Sequence, residues 1–172
     1  MNKKIKCRRH DIIKWNRGGS KIYAFEPFPL NIGNINNHIK LNKIKNVEIV
    51  SMAVSDKIDR LFFKVGKNNS EGMLSKDGEI EVDTITLDTF VKNGALPPDL
   101  IKIDIEGAEY NALIGAKETL IKYKPVIFLA THGKNVHVQC INLLKSIGYK
   151  LESIGDKNLD ETDELIAYSK DQ

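Results

Sequence analysis

Polar residues able to do chemistry recur in this chain where short apolar runs end. Lys21–Phe25 runs into Phe25-Glu26-Pro27, and Val47–Met52 into Ala53-Val54-Ser55-Asp56. Leu100–Ile103 runs into Asp104-Ile105-Glu106-Gly107, and Val126–Ala130 into Thr131-His132-Gly133. If the runs are strands, each polar group lies at a C-terminal end, where an open parallel sheet leaves the crevice that binds ligands. An acid such as Glu26 can there accept hydrogen bonds from both hydroxyls of a ribose, which a neutral side chain does less well. The competing reading is a glutamate that merely opens a loop before Pro27. His132 is available in its neutral form near pH 7 for catalysis or substrate contact, although a lone histidine is often a satisfied structural group. One such ending means little. Three acids, Glu26, Asp56 and Asp104, ending successive strand candidates point to a shared crevice.

The elements that must position these groups alternate in period. Ile101, Ile103 and Ile105 are β-branched, which suits a strand covered on both faces. Side chains two apart share a strand face, so Lys102, Asp104 and Glu106 project together if the extended geometry persists that far, and Gly107 turns the backbone into a helix. That helix carries Ala108, Ala112, Leu113, Ala116 and Leu120 and closes before Pro125. Pro27 and Pro29 open a helix with Ile32, Ile35 and Ile39 on its apolar face. Val136, Cys140, Leu143, Leu144 and Ile147 build another, stopped by Gly148. Between these units, Arg60–Val65 and Glu79–Leu87 read as extended pieces joined by a Gly- and Asn-rich turn over 66–72, a surface insertion able to cover the crevice. Asp88 or Thr89 is expected to cap a short helix ending at Gly94. Tyr149–Ile154 and Glu164–Tyr168 are joined without a helix, which implies an antiparallel pair at the end of the sheet.

A chain of 172 residues is most simply one domain with a core that needs neither disulfide nor metal. Its net charge of +3 is too small to argue for nucleic acid. The basic cluster Lys3, Lys4, Lys6, Arg8 and Arg9 lies in residues 1–20, whose Ile5, Ile12, Ile13 and Trp15 suggest a surface helix rather than a nucleic-acid or membrane contact. Cys7 and Cys140 stand in unrelated contexts without metal-ligand spacing, neither looks reactive, and no metal site is expected. No apolar run reaches membrane-spanning length, and the N-terminus lacks the apolar core of a signal peptide. A cytoplasmic protein with reduced thiols, binding neither nucleic acid nor membrane, is the expectation.

Taken in order, AFEP, AVSD, ITLD, the long IKIDIEGAEYNALIGA and the closing LLKSIGY resemble the FkbM-type family of S-adenosylmethionine-dependent methyltransferases, over residues 20 to 170. The resemblance implies an α/β, Rossmann-like fold: a mostly parallel sheet, helices on both faces and an antiparallel C-terminal hairpin. It sets a basic helix-like segment, 1–20, before a methyltransferase domain, 21–172. It implies S-adenosylmethionine as methyl donor and a hydroxyl on a sugar, glycan or other metabolite as acceptor. Glu26 becomes the ribose ligand and Ala53, Val54, Ser55 and Asp56 the adenine-side loop. Asp104 joins the cofactor site and, with Glu106, lies near the methyl group and acceptor, and Asp104, Glu106 or His132 serves as base.

The sequence departs from the family pattern in two places. Leu129-Ala130-Thr131-His132 has no glutamate before the histidine, and residues 1–20 contain no Asp-x-Gly-Ala-x-x-Gly strand end. The sheet is therefore expected to be incomplete at its N-terminal side, to be covered by residues 1–20, a second copy or a partner chain. The alternative function is a non-catalytic remnant or subunit that needs another chain to complete the cofactor site. A nicotinamide-dependent oxidoreductase is disfavoured, because it also needs a Gly-rich first turn.

Overall fold

The computed structural model describes residues 20–65, 72–74 and 80–169, so the basic segment lies outside it except for Ser20. The chain forms an α/β fold in which, among the described residues, fifteen elements alternate much as the apolar periods require. Strand β1 (Ile22–Phe25) pairs in parallel with β2 (Val47–Val50) across helix α1 (Pro29–Leu41). Proline at the start of α1 sits where no backbone N–H is needed. The C-terminal half holds β7 (Leu100–Ile103), α3 (Glu109–Ile114), α4 (Lys117–Tyr123), β8 (Val126–Ala130), α5 (Lys134–Ser146), β9 (Tyr149–Ser153) and β10 (Glu164–Ser169). Its strands run in the order β7-β8-β10-β9, with β7 and β8 parallel and β10 antiparallel to both its neighbours. The expected C-terminal hairpin is thus present, and it inserts its second strand next to β8.

Alternation along β8 buries Ile127 and Leu129 and leaves Val126, Phe128 and Ala130 half-buried. On the buried side, Leu113, Leu120, Cys140, Ile141 and Leu144 from α3, α4 and α5 pack with Leu165 and Ala167 into one core. Of the three isoleucines read as a strand covered on both faces, Ile103 is buried and Ile101 half-buried, while Ile105 lies exposed beyond the strand end. Among the described residues β1 and β7 do not pair, so each has an edge without a strand partner.

Between these halves the structure differs from the sequence expectation. Ala53–Val54 is not a loop trailing β2. It is a strand, β3, parallel to β6 (Ile80–Ile85) in a separate sheet ordered β3-β6-β4-β5, with β4 at Arg60–Val65 and β5 at Gly72–Leu74. Two residues are too few for periodicity to signal a strand; the register comes from Ala53 opposite Thr84 and Val54 opposite Ile85. Helix α2 (Leu87–Lys92) is capped by Thr86, whose hydroxyl accepts from the Thr89 N–H at 3.0 Å, and not by Asp88 or Thr89. Asp88 instead caps α4 from across the fold, accepting from the N–H groups of Glu118 at 3.0 Å and Thr119 at 2.7 Å. Phe90 of α2 meets the rings of Tyr23 and Phe25 edge-on, both at 4.9 Å, and so ties α2 to β1.

The single helix expected after Gly107 is two. The break falls at Gly115 and Ala116, and a Cβ on Gly115 would lie 2.0 Å from the carbonyl oxygen of Ser55, which follows β3. No helix among the described residues is long and apolar enough to cross a membrane.

Candidate active site

Asp104, Glu106 and His132 come together at the C-terminal ends of the parallel pair β7 and β8, with one ligand-type atom of each within 4.8 Å of the others. The extended geometry does not persist as expected. The strand ends at Ile103, and the chain turns through two left-handed residues, Glu106 at φ +59° and Gly107 at φ +101°. Gly107 adopts this without a Cβ penalty, and the turn delivers Glu106 beside Asp104 before α3 begins. His132 enters from the end of β8, ahead of Gly133 at φ +103°.

Glu109, the first residue of α3, organises the cluster. Its side chain is completely buried, and Oε1 accepts from the Gly107 N–H at 2.9 Å and lies 2.7 Å from His132 Nδ1. An ionised carboxylate only accepts, so Nδ1 carries the proton and Nε2 faces the other two acids. Nε2 lies 3.7 Å from Asp104 Oδ1 and 3.9 Å from Glu106 Oε2. Burial is the largest single influence on the imidazole and lowers its pKa. The bond to Glu109 and the charges of Glu106, Glu109 and Asp104 together outweigh it and hold the pKa above its ordinary value. Lys102 Nζ approaches the far oxygen of Asp104 at 4.0 Å.

Glu109 was not singled out in the sequence, where its position on the apolar side of α3 hides it among Ala108 and Ala112. Its signal is a carboxylate at the first position of a helix that follows an acidic strand end. Sequence spacing also gave no expectation of a metal, yet Asp104, Glu106 and His132 form a mixed carboxylate and imidazole set of the kind that holds a divalent ion.

The remaining candidates stand at other strand ends. Glu26 is buried at the end of β1; Oε1 accepts from the Phe28 N–H at 2.8 Å and Oε2 from the Asn31 amide at 3.2 Å. These bonds fix the carboxylate at the head of α1. Ala53 and Ser55 are buried, Val54 is half-buried and Asp56 is exposed. The Ser55 hydroxyl donates to Asp56 Oδ1 at 3.0 Å, while the Ser55 N–H continues the β3–β6 ladder to the Ile85 carbonyl at 3.0 Å. Beside Asp56 runs a shallow groove of about 260 Å³ bordered by Thr86, Asp88, Lys92, Gly115 and Glu118.

His137, which is buried, shows the contrasting fate. His137 Nε2 lies 2.8 Å from the Leu159 carbonyl, which only accepts, so Nδ1 takes the hydrogen bond of Thr131 Oγ1 at 2.8 Å. Thr131, at the position where the family pattern has a glutamate, is thereby committed to the core, and both nitrogens of His137 are satisfied.

The comparisons with known proteins agree with this architecture. The sequence matches the model of the methyltransferase FkbM domain over residues 8–151. The fold is similar to the crystal structure of methyltransferase FkbM from Methylobacillus flagellatus KT, with a TM-score of 0.63 at 18% identity over 87% of this chain. It is also similar to precorrin-6y C5,15-methyltransferase from Geobacter metallireducens GS-15, with a TM-score of 0.50 at 15% identity over 86% of this chain. The chain spans 36% of the first of these proteins and 65% of the second. No curated protein sequence matches it significantly. Matched to one family model along most of its length, the chain belongs to the methyltransferase FkbM domain family.

Proposed function

We infer that this domain takes a methyl group from S-adenosylmethionine and transfers it to a hydroxyl of a sugar, a glycan or another small metabolite. The observation that carries the reading is the Asp104, Glu106 and His132 cluster at the ends of β7 and β8 in a chain of the FkbM family. The donor supplies an electrophilic methyl on a sulfonium, and the protein has to position it and deal with one proton.

The residues present fit the donor's polar parts. The Glu26 carboxylate, held at the end of β1 by the Phe28 N–H and the Asn31 amide, is the acid that would accept from a ribose hydroxyl. Asp56 is held by Ser55 through Oδ1, which leaves Oδ2 to accept from an adenine amino group. Asp104 closes the donor site towards the reacting end. There, Glu106 and His132 face a hydroxyl brought in from solvent, orient it for in-line attack and provide the lone pairs that draw off its proton. The O–H bond breaks, the oxygen takes the methyl, and the C–S electron pair stays on sulfur.

Reaction in the cytoplasm is supported by the unpaired thiol of Cys140. A second reading keeps the fold but requires another chain, a second copy or a partner, to finish the donor site; the edges of β1 and β7 that have no strand partner among the described residues favour it. The test is calorimetric titration of the purified chain with S-adenosylmethionine and S-adenosylhomocysteine, followed by transfer of labelled methyl to a panel of sugar and small-metabolite hydroxyls. Binding with transfer supports the enzyme. Binding only after addition of a longer form of the chain supports the second reading, and no binding to either refutes both.

A further inference from the structure

Three atoms bearing lone pairs face one another at the ends of β7 and β8. Because Nδ1 of His132 is tied to Glu109 Oε1, Nε2 is the ring atom that faces Asp104 Oδ1 and Glu106 Oε2, at 3.7 Å and 3.9 Å, and a cation bound there takes the place of a proton on it. Asp104, Glu106 and Glu109 are three carboxylates gathered around one imidazole, and Lys102 Nζ lies 4.0 Å from Asp104. Behind the imidazole, the second oxygen of the fully buried Glu109 carboxylate has no hydrogen-bond partner. A buried carboxylate is costly unless something cationic or strongly donating answers it. A dication in front of His132 lowers the repulsion among the gathered carboxylates, and by taking the Nε2 lone pair it makes Nδ1–H a stronger donor to the buried Glu109.

We propose that Asp104, Glu106 and His132 bind one divalent first-row cation, of the Mn2+ or Zn2+ kind, with Glu109 as the outer carboxylate that orients the histidine. Ligand atoms each about 2.1 Å from a shared ion lie between roughly 3 and 4.2 Å apart, so the observed separations close onto an ion with shifts of a few tenths of an ångström. One imidazole with two carboxylates suits these ions better than Ca2+ or Mg2+, which favour oxygen alone. The three side chains are about one-third exposed, which leaves coordination positions open to solvent or to an acceptor oxygen. In the methyl transfer inferred above, such an ion would act as a Lewis acid on the acceptor hydroxyl, whose proton would pass to a carboxylate oxygen of Glu106 that the ion does not use. That use rests on the methyltransferase reading; the binding of the ion does not.

Titration of the metal-free chain with Mn2+ and with Zn2+, read by calorimetry, is expected to show one ion per chain. Asp104→Asn and Glu106→Gln, both at half-exposed positions, are each expected to weaken it at least tenfold. Glu109→Gln keeps the shape but removes the charge behind His132, and is expected to weaken it by about 10- to 100-fold, the usual effect of an outer ligand. Pulsed EPR of the Mn2+ form is expected to show nitrogen coupling that is lost in His132→Gln, a signature that a purely structural role would not move. The absence of binding at millimolar ion, or binding unchanged in all of these folded variants, overturns the proposal. Titration with S-adenosylhomocysteine in chelator runs alongside: donor binding without ion binding overturns only this proposal, and ion binding without donor binding overturns only the methyltransferase reading.

Discussion

Gly115→Ala tests whether the contact between the α3–α4 bend and Ser55 sets the geometry of the donor side. An added Cβ would lie 2.0 Å from the Ser55 carbonyl oxygen, 2.9 Å from its carbon and 3.3 Å from the Asp56 Cα. These are backbone atoms, and no rotamer change relieves them. Reaching an ordinary contact of about 3.4 Å means moving the helix bend and the β3 segment apart by more than an ångström, against a close-packed interior. Overpacking of this kind costs about 1 to 3 kcal/mol. At about 2 to 4 °C per kcal/mol for a domain of this size, the melting temperature should fall by about 2 to 12 °C. The Ser55 N–H bond to Ile85 lies in the path of the movement, so affinity for S-adenosylhomocysteine should fall with it. Gly33→Ala is the control: inside α1, with nothing within 4 Å of an added Cβ, it should stabilise by about 0.4 to 1 kcal/mol. Thermal melting by circular dichroism and calorimetric titration measure both. If Gly115→Ala melts within a degree of the parent and binds as tightly, the contact does not position the loop.

Glu26→Gln should weaken S-adenosylhomocysteine binding by about 1.5 to 3 kcal/mol, roughly 10- to 150-fold, and unchanged affinity in titration would remove Glu26 from the donor site. Asp88→Ala uncaps α4 from across the fold and should cost about 0.5 to 2 kcal/mol in urea unfolding; a neutral result would mean that the N–H groups of Glu118 and Thr119 find other acceptors. Burial pushes the Cys140 thiol up to about 12, so the thiolate is scarce at pH 8. Labelling of this thiol by a disulfide reagent should run roughly a thousandfold slower in the folded chain than in urea, and rapid labelling of Cys140, located by peptide mapping, would contradict the buried position.

What the sequence made legible were elements whose periodicity extends over several residues. Strands β1, β7 and β8, helix α5 with its stop at Gly148, and the closing hairpin all follow from apolar spacing and glycine placement. The features it hid depend on contacts between distant segments. Asp88 reads as a cap for its own helix, yet the Thr86 hydroxyl reaches Thr89 first and leaves Asp88 to meet α4 some thirty residues on. Ala53 and Val54 become a strand only because Thr84 and Ile85 lie beside them. At the candidate site, Asp104, Glu106 and His132 were legible as polar strand ends. Glu109 was not, because a buried carboxylate is defined by what covers it.

The uneven spread of burial has a consequence for how the chain opens. Among the described residues, the buried members of the large core lie within 103–167, with Leu87 and Ile101 half-buried against it, whereas in the N-terminal half Phe28 and Val82 form a small cluster with Ile80 beside them. Under native conditions amides of β8 and β10 should then exchange with solvent through near-global unfolding, and those of β3 and β6 through a cheaper, partial opening. Glu26, Ser55 and Asp56 stand on the half that opens first, and Asp104, Glu106 and His132 on the half that opens last. A donor bound by both halves would therefore slow exchange most at β3 and β6, far from the reacting atoms, and release of product would be timed by the weaker half.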